Sequence, residues 1–69
     1  MTDARFLSRL GARIKEMRSK KGYSQTYLAN RCNFEKASMS RIESGKTNIT
    51  VLTLKKISKA LEVEMTDLF

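Results

Sequence analysis

These 69 residues predict an all-α fold, a compact bundle of five helices. Apolar side chains recur at three- and four-residue steps through successive segments, which is the helical period. No stretch alternates apolar and polar residues for long. The nearest case runs from Ile49 to Leu54, where the crowded threonines fit a loop and a helix cap equally well. Proline is absent, the three glycines stand apart, and no repeat or Gly/Ser linker appears, so one domain over residues 1–69 is expected. A chain of this length buries a small core without also enclosing a deep cavity.

Taken in order, residues 3–21 place Phe6, Leu7, Leu10, Ile14 and Met17 on one side of a first helix, with arginines and lysines filling the others. Gly22, able to take positive φ, stops it. Ser24 is a good N-cap for the second helix, and Tyr23 before it is set to pack on Leu28 as a hydrophobic staple. Leu28, Ala29 and Cys32 form its inward stripe, and Ala29 is small enough for another helix to cross closely. Asn33 makes the turn, since asparagine tolerates the left-handed region better than most residues. Phe34, Met39 and Ile42 bury one side of a third helix over about residues 35–43. Lys36, Ala37, Ser38, Ser40 and Arg41 then look outward or along its flanks. Gly45 ends it. Thr50 caps a fourth helix whose inner face is Val51, Leu54, Ile57, Ala60 and Leu61. A fifth, short element from Met65 to Phe69 closes the core with Leu68 and Phe69.

Charge and composition narrow the functional classes. Fourteen Lys and Arg against seven Asp and Glu give a formal +7, suited either to a polyanionic partner or simply to a soluble surface. The lone Cys32 forms no intrachain disulfide, and without histidine the chain lacks the N/S ligand set of a structural zinc. A reducing, cytoplasmic setting is expected, with no metal and no cofactor. The N-terminus M-T-D-A-R-F-L has no apolar h-region, and no run is long enough to cross a bilayer, so no membrane partner is expected. Catalysis is argued against by the missing histidine, the unpartnered cysteine and the lack of a carboxylate pair or a glycine-rich phosphate loop.

Residues 24–45 read as two short helices joined by a tight turn, the second presenting lysine, serine and arginine, which makes DNA the leading candidate ligand. Several elements carry a resemblance: Arg18 and Gly22; Ser24, Gln25, Leu28 and Ala29; Met39, Arg41, Ile42, Glu43 and Gly45; and the ending K-I-S-K-A-L-E-V-E-M-T-D-L-F. On these, nearly the whole chain resembles the Cro/Xre-type helix-turn-helix family of bacterial and phage regulators, with a lambda-repressor-like fold. It is similar in length and ending to restriction–modification controller proteins.

The resemblance implies that the third helix enters the major groove of double-stranded DNA, with Lys36, Ala37, Ser38 and Arg41 reading base edges. Lys36 and Arg41 can donate to guanine O6 and N7, Ala37 offers a methyl to thymine, and Ser38 serves a base or a phosphate. Ser24 and Gln25 at the start of the second helix, and Lys46, Thr47 and Asn48 after the third, are expected to grip phosphates. Backbone amides of the loop from Ser44 onward are expected to assist them. The resemblance pairs Arg18 with Glu43 out of solvent, an ion pair that fixes the angle of the reading helix. Asn33 and Glu35 depart from the family pattern, which favours glycine in the turn and serine or threonine as the cap. Glu35 suits the helix dipole but caps poorly and repels phosphate. Tyr27 is read as a surface aromatic.

Residues 18–46 hold seven basic side chains against Glu35 and Glu43, whereas residues 60–69 hold Glu62, Glu64 and Asp67 and no cation. The acidic end is expected to point away from the nucleic acid. The resulting expectation is a sequence-specific transcriptional regulator of repressor or controller type. It would bind as a homodimer whose seam involves Leu52, Met65 and Phe69. The alternative is an antitoxin-like or scaffold protein whose main role is to bind a toxin or other protein partner, because some apolar surface is left over.

Overall fold

The structure is a computed structural model and describes residues 4–69. The expected helix start at residue 3 and the acid at that position lie outside the described residues. Helix α1 spans Ala4–Lys20, α2 Gln25–Arg31, α3 Lys36–Glu43 and α4 Val51–Leu61, followed by a 3-10 turn over Met65–Leu68. No strand forms among the described residues. Four α-helices are therefore present in place of the five expected. The last element is only four residues long, and its bonds run Asp67 N to Glu64 O at 2.9 Å and Phe69 N to Thr66 O at 3.3 Å, the three-residue closure of a 3-10 turn.

Each stripe has a physical outcome. Leu10 and Ile14 of α1, Leu28, Ala29 and Cys32 of α2, Met39 and Ile42 of α3, and Leu54, Ile57, Ala60 and Leu61 of α4 meet in one core that Leu68 closes. Four expected core residues lie outside it, Leu7 half-buried and Phe6, Val51 and Phe69 exposed. Phe6 is 46% exposed near the start of α1, and Val51, the first residue of α4, is 70% exposed, one turn beyond the buried Leu54. Phe69 is exposed too, so Leu68 alone of the final pair is buried.

The helices stop by a shared device. A left-handed residue follows each one, namely Gly22, Asn33, Gly45 and Glu62. The next amide then reaches back five residues: Tyr23 N to Arg18 O, Phe34 N to Ala29 O, Lys46 N to Arg41 O, and Val63 N to Ser58 O, at 2.8 to 3.1 Å. Such closures turn the chain sharply enough for short helices to pack on one core.

One glycine does more than end a helix. Gly11 lies in the middle of α1, where glycine is locally unfavourable, yet a Cβ there would sit 2.6 Å from the Glu43 carbonyl oxygen and would meet that of Ile42 as well. The backbones of α1 and the end of α3 touch only because this side chain is absent.

Candidate nucleic-acid interface

The start of α2 and the whole of α3 form one polar construction. Ser24 Oγ accepts the Tyr27 amide proton at 3.0 Å, the bond of an N-cap, and its own hydroxyl proton remains available to an acceptor outside. Across the turn, the Glu43 carboxylate at the end of α3 accepts three donors. Arg18 Nε gives a proton to Oε2 at 2.7 Å and Nη2 to Oε1 at 3.2 Å, while Gln25 Nε2 gives one to Oε1 at 3.0 Å. The remaining Arg18 nitrogen, Nη1, donates to the Tyr23 carbonyl at 2.6 Å. The side chains of Arg18 and Glu43 are 12% and 2% exposed, so this is a buried pair with its hydrogen bonds satisfied. Removing one partner of such a pair costs about 3–5 kcal/mol, because the other charge is left stranded.

The geometry shows what the clamp does. It ties α1, the loop before α2, the first residue of α2 and the last of α3 to one carboxylate. With Gly11 holding the same end of α3 against α1, the axis of α3 is fixed at its C-terminal end by two backbone contacts and a fork of charged bonds. Gln25 donates one amide proton to this clamp and keeps a second, so its orientation is set before any ligand arrives. The sequence marks Gln25 as a phosphate contact without revealing its partner within the fold; its side chain is half-buried, and the bond to Glu43 crosses between elements and leaves no local signal.

On the other side of α3, Lys36, Ala37, Ser40 and Arg41 are exposed and Ser38 is half-buried. Arg41 faces no carboxylate among the described residues. Ser38 and Arg41 share a shallow groove with Thr47, Asn48 and Phe34, which brings the reading candidates beside two of the phosphate candidates. Lys46 is exposed next to them. The expectation that the loop offers backbone amides from Ser44 onward needs correction. Ser44, Gly45 and Lys46 use theirs to close α3, onto the carbonyls of Ser40, Ile42 and Arg41. Among backbone donors this leaves those of Thr47 and Asn48.

Helix α3 begins on Glu35, whose extended backbone is that of an N-cap but whose side chain makes no capping bond. An exposed carboxylate thus sits at the tip of the helix. From the loop before α2 into that helix runs a ladder of which the sequence shows only Tyr27 as a surface aromatic. The Tyr23 and Tyr27 rings are 4.6 Å apart, and Arg31 lies over Tyr27 while donating to its hydroxyl at 3.0 Å. Cys32 is buried in the core, its thiol pushed above the usual range by desolvation despite the nearby Lys56 and Arg31. Of the expected dimer residues, Leu52 is 72% exposed, Met65 is half-buried against the core, and Phe69 is stacked on Phe6.

Among the described residues, no group of His, Cys, Asp and Glu side chains is arranged to hold a metal ion, and no helix is long and apolar enough to cross a membrane.

Comparison with known proteins bears on the same region. The sequence profile of the helix-turn-helix family matches residues 14–68. Over 61 residues the chain is 46% identical to the HTH-type transcriptional regulator SlrR of Bacillus subtilis, covering 87% of this chain and 40% of that protein. It is 39% identical over 59 residues to the control protein C.BamHI of Bacillus amyloliquefaciens, covering 84% of this chain and 73% of that one. The crystal structure of the restriction-modification controller protein C.AhdI from Aeromonas hydrophila superposes with a TM-score of 0.89 at 32% identity, over 91% of this chain and 96% of that chain.

Proposed function

The chain belongs to the helix-turn-helix family, of Cro/Xre type, and on that footing we propose that it is a sequence-specific double-stranded DNA-binding transcriptional regulator, of repressor or controller type, acting in the cytoplasm. The observation that carries this reading is the division of α3 into two faces. Met39, Ile42 and Glu43 are buried and clamped, while Lys36, Ala37 and Arg41 stand clear on a helix whose tilt is already set. A helix clamped at its end, with cations that meet no carboxylate among the described residues, is suited to the major groove, which admits an α-helix and displays guanine O6 and N7 to Lys36 and Arg41. Ser38 and Ala37 take a hydroxyl contact and a thymine methyl. Around them Ser24, Gln25, Lys46, Thr47 and Asn48 hold phosphates and set the register, helped by the chain's formal +7.

The similarity to control and controller proteins supports the controller role. The regulator acts as a homodimer, with two reading helices about 34 Å apart facing half-sites one turn apart. Leu52 and Met65 form the seam, and Phe69 is drawn off toward α1.

Dimethyl sulfate interference on a bound duplex tests the docking. Methylation of guanine N7 lies in the major groove, and we expect it to block binding at two patches one helical turn apart. Interference confined to minor-groove adenine N3 would overturn the docking, and a single patch would overturn the dimer.

A further inference from the structure

Between α1 and the C-terminal turn lies an open groove of about 470 Å³ that DNA reading does not use. Its floor is apolar. Leu10 and Leu68 are buried beneath it, and the rings of Phe6 and Phe69 stack at 6.2 Å while remaining 46% and 64% exposed. Arg9 and Arg13 also line it. Arg13 is engaged within the fold, its Nε donating to the Asp67 carbonyl at 2.8 Å and its Nη1 to Glu16 at 2.9 Å. Glu16, the groove's single acid, is shared between Arg13 and Lys20. Arg9 is exposed and faces no carboxylate among the described residues. The result is an apolar trough with a positive edge at Arg9 that no carboxylate among the described residues meets.

The groove is turned away from the recognition surface. Phe6, Arg9, Arg13 and Glu16 follow one another at three- and four-residue steps and form one stripe of α1. Gly11, which meets α3, sits two residues from both arginines and so on the opposite side of the helix.

We infer that this groove docks an acidic amphipathic α-helix of a protein partner. Apolar side chains of that helix at i, i+3 or i+4 and i+7 settle against Phe6, Leu68 and Phe69, and its flanking carboxylates meet Arg9. Charge selects the occupant, because Arg9 at the rim is exposed and meets no carboxylate among the described residues, while Arg13 is already engaged by Glu16 and the Asp67 carbonyl. Shape selects its conformation. No strand among the described residues offers an edge to extend, which leaves the helix-in-groove mode, and the stripe from Phe6 to Glu16 is about 15 Å long, the length of about ten helical residues. A small molecule is disfavoured, since a ligand pocket typically buries about 70–90% of its occupant and these walls are themselves half exposed. The surface is independent of base reading.

The test is an NMR titration of the ¹⁵N-labelled full chain, alone and saturated with duplex DNA. The probe is a synthetic amphipathic helical peptide with leucines at the i, i+3 and i+7 positions and glutamates elsewhere, compared with its lysine-for-glutamate twin. The expected result is shifts at Ala12, Leu68 and Phe69 with the acidic peptide only, unchanged by duplex, and at least tenfold weaker binding in Arg9→Glu. Equal binding of the basic twin, shifts confined to α3, displacement by duplex, or an Arg9→Glu variant that binds as tightly would each overturn the proposal. So would concentration-dependent shifts at these residues without peptide, which would mean that a second copy fills the groove. DNA binding is measured separately, so failure of one reading leaves the other standing.

Discussion

Helices α3 and α4, of 8 and 11 residues, both carry cations outward, yet they are held in place by opposite means. Helix α4 is locally sound. Thr50 caps it by accepting the Thr53 amide proton at 3.1 Å, and Leu54, Ile57, Ala60 and Leu61 give it an apolar stripe. Helix α3 begins on a residue that does not cap and buries only Met39 and Ile42 as apolar side chains. What fixes it is tertiary: the Glu43 fork from Arg18 and Gln25, and the backbone of α1 at Gly11. The lesson is about where sequence freedom lies. A helix that owes its position to two contacts at its C-terminal end can vary the residues at its N-terminal half without losing its place, and those are the residues proposed to meet DNA. Departures from local rules are expected to gather at functional positions.

The contrast can be broken or sharpened, beginning with the largest effect. Glu43→Ala should destabilise the fold by about 3–5 kcal/mol in chemical denaturation, because Arg18 is left buried without its anion. A loss below about 1 kcal/mol, the range of a surface pair, would mean that α3 does not depend on the clamp. Gly11→Ala comes next. Its Cβ has no room beside the Ile42 and Glu43 carbonyls, so about 1–3 kcal/mol of overpacking is expected, together with weaker DNA binding as the tilt of α3 shifts. Alanine is otherwise the better helix former by about 1 kcal/mol, so a stabilised variant would show that the two backbones do not touch. The smallest effects compare the two caps. Thr50→Ala should cost about 1 kcal/mol, whereas Glu35→Ser should raise stability by several tenths of a kcal/mol, by adding the missing cap. The same Glu35 change should alter base preference in a binding assay; a stabilised protein with unaltered preference would confine Glu35 to the helix end.

Much of this was legible in the chain. The stripes of α1, α2, α3 and α4 followed from spacing, because burial imposes the helical period on side chains that have no other reason to share a face. Ser24 and Thr50 announced themselves as caps for the same local reason. What was missed depends on contacts between distant residues or on an absent side chain. Nothing near Gly11 in sequence signals that α3 lies against it. The bond from Gln25 to Glu43 spans two helices, and Glu62 adopts a left-handed backbone that its residue type disfavours. Val51 and Phe6 satisfied the period but lie at helix starts, where periodicity cannot say whether a neighbour reaches. In the candidate interface, the outward positions of Lys36 and Arg41 were readable from the pattern of α3, whereas the engagement of the Ser44, Gly45 and Lys46 amides was not, since it depends on how the helix closes.

The role proposed for the exposed side of α3 is to read base edges. Its most direct measurement is selection of bound duplexes from a random pool by the wild-type chain and by Arg41→Ala in parallel. A two-fold symmetric consensus is expected for the wild type. In the variant, discrimination should be lost at one base pair of each half-site, with about 1–3 kcal/mol weaker binding to the wild-type consensus and the remaining positions unchanged. An identical consensus from both proteins, weakened uniformly or not at all, would contradict it.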